Sequence, residues 1–214
     1  MQRRSGMPEV YQLHILLREI SPAIWRRVLV RSDSTITDLH YTIQILMGWS
    51  DYHLNKFTIH AKSYGVYHRG GLCFPDDPDE ILLSDFEFRH KERFLYEYDF
   101  NVDWMIDIRL EERRALDPSQ IYPVCISGSR AGPPEECGGP IAFMAWEDEF
   151  HPSLVVSRLQ DLCEDQVDEM ELYLHEIDHA KWWLGKEEFD RREINRRLDI
   201  YSKRDEEWYG AVFE

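Results

Sequence analysis

Between Tyr122 and Phe143 the chain reads YPVCISGSRAGPPEECGGPIAF, with Pro123, Pro133, Pro134 and Pro140 set among Gly128, Gly132, Gly138 and Gly139. Proline lacks a backbone donor and glycine gives up more chain entropy on ordering, so the stretch is expected to be neither helix nor central strand. Loops of this length in a compact chain are either functional or disordered. The interleaved Val124, Cys125, Ile126, Ile141 and Phe143 predict that this one is pinned down. It also carries Cys125, Cys137 and the carboxylate pair Glu135 and Glu136.

The remaining composition narrows the function classes. At 214 residues the chain can bury a sizeable core, and 43% hydrophobic residues place it among globular proteins. A net charge of −16 disfavours generic binding to nucleic acid or anionic lipid. The basic clusters Arg26, Arg27 and Arg31, Arg113 and Arg114, and Arg191 to Arg197 read as solvated faces beside carboxylates. No apolar run approaches the roughly 18 residues that a membrane span requires. MQRRSGMPEV lacks the apolar core of a secretory signal. Cys73, Cys125, Cys137 and Cys163 are widely spaced, which predicts reduced thiols and a cytoplasmic location.

Along the chain, Val10 to Ile20 alternates as a half-buried strand, and Ser21-Pro22 breaks it before a second strand from Ile24 to Val30. Thr35 and Asp38 form a capping box for a helix with Ile36, Leu39, Ile43, Leu46 and Met47 on one stripe, stopped by Gly48. Leu54 to His60 and Ser63 to His68 read as strands, and Gly70 to Asp79 as a loop. A hairpin follows. Phe94, Tyr96, Tyr98 and Phe100 line one arm, Trp104, Ile106, Ile108 and Leu110 the other, across a turn at Asn101-Val102-Asp103. Helices are predicted for Leu154 to Cys163, Val167 to Leu184 and Asp190 to Leu198, with a tail from Asp199.

The segments SPAIWRRVLV (21–30), LHYTIQILMGWSDYHLNKF (39–57), FLYEYDF (94–100), PVCISGSRAGPPEECGG (123–139) and FDRREINRRL (189–198) give a specific resemblance. In this order they resemble the Ri-plasmid open-reading-frame-three-like family, also filed as insertion-element passenger TnpR proteins. The resemblance implies an α+β domain often encoded on plasmids and other mobile elements, and it brings no activity with it. A serine-resolvase role finds no support in the residues: Ser5 lies in the N-terminal stretch and Ser21 precedes a proline. Relatives read G-D-x-W-x-H after the tyrosine-rich strand. Here Asp103 and Trp104 remain, while Asn101, Val102 and Ile106 stand at the other three positions. Ile106 fits a buried strand face, so the change reads as a site traded for core.

Two constellations carry candidate chemistry. The first is a pocket rimmed by the Pro/Gly loop, the hairpin tip and the segment after Gly48: Trp49, His53, Asp99, Asp103, Trp104, Cys125, Glu135, Glu136 and Cys137, with Asp51 beside them. Converging carboxylates suit a cation or a basic peptide. Cys125 and Cys137 read first as buried free thiols. As an alternative they supply half of a tetrahedral metal site. The second constellation is His175-Glu176-Ile177-Asp178-His179, the H-E-x-x-H spacing of a zinc hydrolase, with Glu187, Glu188 or Glu193 as a third ligand. Against it, Ile177 lies on the apolar stripe and turns both imidazoles toward the helix flanks.

The expected fold is α+β. It comprises a mainly antiparallel sheet of about six strands with a helix packed across it (residues 8–150), a C-terminal helical extension continuing the same domain (151–200), and a tail (201–214). The expected function is a non-enzymatic binding domain for a cationic ligand or an unknown protein partner, without nucleic acid, membrane or cofactor. The alternatives are a zinc-dependent hydrolase using His175 and His179, and an accessory role in DNA transactions.

Overall fold

The computed structural model describes residues 8–68, 71–149, 157 and 181–213. Seven strands form one antiparallel sheet: β1 (Glu9–Leu17), β2 (Trp25–Arg31), β3 (Asn55–Ile59), β4 (Lys62–Tyr64), β5 (Arg93–Tyr98), β6 (Trp104–Ala115) and β7 (Val124–Ser129). Their order across the sheet is β4-β3-β5-β6-β1-β2-β7. With its helices the fold is α+β, and the sheet has one strand more than the sequence suggests.

The additional strand is β7, which emerges from the Pro/Gly stretch. It pairs only with β2 and so lies at the sheet edge, where one ladder suffices and the surrounding glycines cost less. Its outer side is closed by Asn195, whose amide accepts from the Cys125 N–H at 2.8 Å and donates to the Cys125 carbonyl at 2.9 Å. The expectation of no helix in this stretch is also corrected. Helix α2 (Gly139–Glu149) begins inside it, with Pro140 in the first turn, where a missing N–H has no intrahelical partner to lose.

The sheet has two unlike faces, as antiparallel sheets commonly do. Leu13, Ile15, Leu17, Val28, Val30, Phe57, Tyr96, Tyr98, Trp104, Ile106, Ile108 and Leu110 are buried on one face. The other carries ion pairs: Arg27 with Glu111, Arg109 with Glu111, Lys56 with Glu97 and Arg18 with Asp107.

Helix α1 (Ile36–Met47) covers the apolar face. Its capping box is formed: the Asp38 N–H donates to Thr35 Oγ1 at 3.1 Å, and the Thr35 N–H to Asp38 Oδ2 at 2.8 Å. Gly48 ends the helix at φ 76°, a left-handed conformation that glycine adopts without penalty. Helices α3 (Arg191–Lys203) and α4 (Trp208–Phe213) pack on the outer side of α1. There the Tyr41 ring meets Trp208 at 5.0 Å and Tyr201 at 5.9 Å. The chain beyond Asp199 therefore forms helix where the sequence suggests a tail, because its aromatic residues cover α1.

Arg26 departs from its expected solvated role. It is 1% exposed on the core face of β2, with Nε donating to the Leu46 carbonyl at 3.0 Å and Nη1 to the Trp25 and Ser129 carbonyls at 2.9 and 2.8 Å. Burial pushes its pKa down to about 10, so it remains a cation, set against the negative end of α1.

Candidate functional site

The β5–β6 hairpin turns through Asp99 to Asp103, whose N–H groups at Val102 and Asp103 both return to the Asp99 carbonyl. Asp99 and Asp103 take φ of 53° and 57°. The Pro/Gly loop lies across this tip. A Cβ at Gly139 would meet the Val102 carbonyl at 2.5 Å, so only glycine permits the approach. A Cβ at Gly132 would meet the Met47 carbonyl at 1.9 Å. The loop thus seats against both the hairpin tip and the end of α1.

Beneath it runs an aromatic stack. The Trp49 indole lies over Tyr98 at 4.9 Å and beside Trp104 at 5.7 Å, and Tyr98 continues to Tyr96 at 6.4 Å. Glu135 latches the loop to this stack. Its carboxylate accepts from the Ser50 N–H at 2.8 Å, from the Ser50 hydroxyl and from the Tyr98 hydroxyl. Burial and this hydrogen bond together drive the Tyr98 phenol far above its ordinary pKa, so it stays a donor.

His53 stands at the open side of the stack. Its Nε2 is 3.1 Å from Glu136 Oε1 and 4.0 Å from Glu135 Oε1, and its Nδ1 is 3.5 Å from Asp99 Oδ2. The Tyr52 ring meets it edge-on at 5.4 Å and is 80% exposed. Glu136 is exposed as well.

Of the nine rim residues named from sequence, Trp49, His53, Asp99, Glu135 and Glu136 come together here. Asp103 is exposed, and its N–H returns to the Asp99 carbonyl at 2.8 Å. Trp104 is core, with its Nε1 buried and making no hydrogen bond among the described residues. Cys125 and Cys137 are buried free thiols, each pushed up to about 11 by burial. Cys125 is tied to α3 through Asn195, away from the loop latch. Ile106 is fully buried in the core, as its place on the apolar strand face suggests.

The segment from His175 to His179 lies outside the described residues. Two of its three candidate third ligands are engaged elsewhere. Glu187 pairs with Arg130 at 3.0 Å, and Glu193 with Arg196 and Arg197 at 2.7 and 3.0 Å.

A second polar cluster escapes sequence reasoning. His40 in α1, Asp51 in the following turn and His68 after β4 place one donor atom each within 4.8 Å of one another. His40 Nε2 lies 2.7 Å from Asp51 Oδ1, and His40 Nδ1 lies 2.8 Å from the Tyr96 hydroxyl. Burial lowers the His40 pKa, which keeps the ring neutral with its Nε2–H directed at Asp51. Burial works to raise Asp51, but the His40 and His68 imidazoles outweigh it and hold the carboxyl below the usual range. These residues stand 11 and 17 positions apart in sequence (40 to 51, 51 to 68), with no short motif to join them. Asp51 alone was visible, as a neighbour of the rim.

Comparison with known proteins places this geometry in a family. A family model described as plasmid pRiA4b ORF-3-like protein matches residues 9–197, so it spans the His175–His179 segment as well as the sheet. A curated relative, "Uncharacterized protein y4hQ" of Sinorhizobium fredii (strain NBRC 101917 / NGR234), is 26% identical over 189 residues, covering 87% of this chain and 86% of its own. A crystal structure of a protein of unknown function, MM3350 from Methanosarcina mazei Go1, is similar with a TM-score of 0.61 and 28% identity. That match covers 88% of this chain and 98% of the other. Among the described residues no helix is long and apolar enough to cross a membrane. With a match running across nearly its full length, the chain belongs to the plasmid pRiA4b ORF-3-like family.

Proposed function

We propose that this protein is a non-catalytic binding domain that receives a cationic group, an amine or guanidinium of a basic peptide, over His53. The observation that carries this reading is the setting of the His53 ring, with Glu136, Asp99 and Glu135 oxygens at 3.1, 3.5 and 4.0 Å. Glu135 is spent on the latch and Asp99 on its own turn, where its Oδ1 accepts from the Asn101 N–H at 3.1 Å. Glu136, exposed with its Oε1 against His53, and Tyr52 are the groups that face solvent to meet a ligand, and a carboxylate and an exposed ring at one imidazole suit a cation. The net charge of −16 would steer such a ligand toward the protein.

Titration calorimetry with a tetra-arginine peptide tests it. Binding is expected at low ionic strength and weakens as salt rises. Glu136→Gln and His53→Ala should each lower affinity about tenfold, the equivalent of one charge-assisted hydrogen bond. Glu87→Gln, which removes an exposed carboxylate elsewhere, should leave affinity almost unchanged. Equal losses in Glu136→Gln and Glu87→Gln would reduce the interaction to general charge attraction and defeat the reading. So would failure of the peptide to bind.

A further inference from the structure

We propose that His40 Nε2, Asp51 Oδ1 and His68 Nε2 form a binding site for a single divalent transition-metal ion of the zinc class. The site is separate from the His53 surface and does not depend on its being a ligand site.

The donor geometry is close to what such an ion needs. Zinc bonds of about 2.0–2.2 Å to nitrogen and oxygen set neighbouring donors about 3.0–3.5 Å apart. Asp51 Oδ1 already lies 3.4 Å from His68 Nε2, and its 2.7 Å contact with His40 must open by only a few tenths of an ångström. Two imidazoles and a carboxylate favour this class over magnesium or calcium, which take all-oxygen shells.

The second observation is the state of His68. Its Nε2 is buried, points at the Asp51 carboxylate and makes no hydrogen bond among the described residues, because the 3.4 Å approach lacks hydrogen-bond alignment. The ion pair with Asp51 is not aligned as a hydrogen bond, so the bonding capacity of this buried nitrogen is incompletely met, and a metal ion between the two would complete it.

The surroundings hold two of the ligands in place. Gln44 accepts from the Asp51 N–H at 3.1 Å and donates to the Tyr96 hydroxyl at 2.8 Å, while that hydroxyl meets His40 Nδ1. This is the outer-shell arrangement that orients metal-ligating histidines. Asp51 is also held at φ 59°, a conformation that a non-glycine residue keeps only when its surroundings impose it. On loading, His40 carries its proton on Nδ1 and donates it to the Tyr96 oxygen, which frees the Nε2 lone pair for the ion. Three protein ligands leave a position for water. The Tyr209 hydroxyl donates to the other carboxylate oxygen, Asp51 Oδ2, at 3.4 Å, which leaves Oδ1 for the ion.

The rival reading is a structural His40–Asp51 pair that binds no ion. Chelator-treated full-length protein titrated with zinc against a chromophoric competitor separates the two. The H-E-x-x-H segment is a possible second sink, so the titration is repeated in a His175→Ala/His179→Ala variant. One equivalent should bind in both proteins, and His68→Gln or Asp51→Asn should weaken it at least a hundredfold. The melting temperature should rise with zinc in the wild type and not in His68→Gln. His68 is the chosen target because it is partly exposed, whereas His40 is fully buried and its loss can unfold the chain. Unchanged affinity in a folded His68→Gln protein would overturn the proposal. Loss of all binding in the His175→Ala/His179→Ala variant, or no binding in the wild type, would do the same.

Discussion

The indole N–H of Trp49, the second residue beyond α1, donates to the carbonyl of Pro133 in the Pro/Gly loop at 3.1 Å. This bond joins the two segments around which the candidate surface is arranged. It is buried, and the Trp49 ring simultaneously stacks on Tyr98. The loop is thus held by a directional bond on one side and by the Glu135 carboxylate on the other.

Trp49→Phe isolates the first of these. Phenylalanine keeps an aromatic face over Tyr98 but offers the Pro133 carbonyl no donor. The expected loss is about 1 kcal/mol from the hydrogen bond, plus a packing contribution for the smaller ring. Urea denaturation reads it, and hydrogen exchange should quicken in residues 131–137 before it does so in the sheet.

Gly132→Ala attacks the same seat by volume. Its Cβ would lie 1.9 Å from the Met47 carbonyl, and backbone on both sides leaves no flexible side chain to yield. The loop must lift, at a cost of about 1–3 kcal/mol. Gly185→Ala is the control, since a Cβ there meets nothing within 4 Å. Its stability should match or slightly exceed the wild type. Equal effects from the two substitutions would mean that the loop is not seated on α1.

Arg26 tests how the end of α1 is held. Arg26→Met keeps an apolar stem and deletes the donors to Leu46, Trp25 and Ser129, leaving carbonyls unsatisfied in the interior. A loss of about 2–3 kcal/mol is expected. Arg26→Lys keeps the charge without the planar fork and should recover only part of it. A Met variant as stable as the wild type would show that solvent reaches these carbonyls.

The contrast between α1 and β7 explains what the sequence made legible. Thr35, Asp38 and Gly48 act through bonds within a few residues, so the helix could be bounded from the sequence. The hairpin arms were equally plain, since Phe94, Tyr96 and Tyr98 alternate against Trp104, Ile106 and Ile108. β7 was hidden because its neighbours are glycine and proline, and its second ladder is supplied by the distant side chain of Asn195. Arg26 looked like its neighbours Arg27 and Arg31 until strand register turned it inward. His40, Asp51 and His68 meet only when α1, its following turn and the segment after β4 are assembled, and no local spacing encodes that.

The thiols offer a chemical check on the same loop. Cys125 and Cys137 are 1% and 2% exposed, and burial raises both to about 11, so thiolate is scarce at neutral pH. Cys73 is exposed. In a Cys163→Ser protein, Ellman's reagent should titrate Cys73 at once and the other two only after denaturant is added. A second fast thiol in the native protein would mean that the loop opens, and tracing it to Cys137 or Cys125 would tell which end moves.

Glu111 governs the acid limit of the charged sheet face. Its Oε2 accepts from Arg27 and from Gln12, the latter at 2.7 Å, and its Oε1 accepts from Arg27 at 3.1 Å and Arg109 at 2.9 Å. The Arg27 hydrogen bond is the largest influence and holds the carboxyl down at about 2. A glutamate in the unfolded chain titrates near about 4.3, so the unfolded state takes up protons first as pH falls. The stability Glu111 contributes is therefore complete above that value and lost as pH drops toward 2. Glu111→Gln should lower the melting temperature at pH 7. The gap between variant and wild type should narrow below pH ~4 and close near pH ~2. A gap that stayed constant across this range would mean that packing of the side chain, and not its charge, stabilises the face.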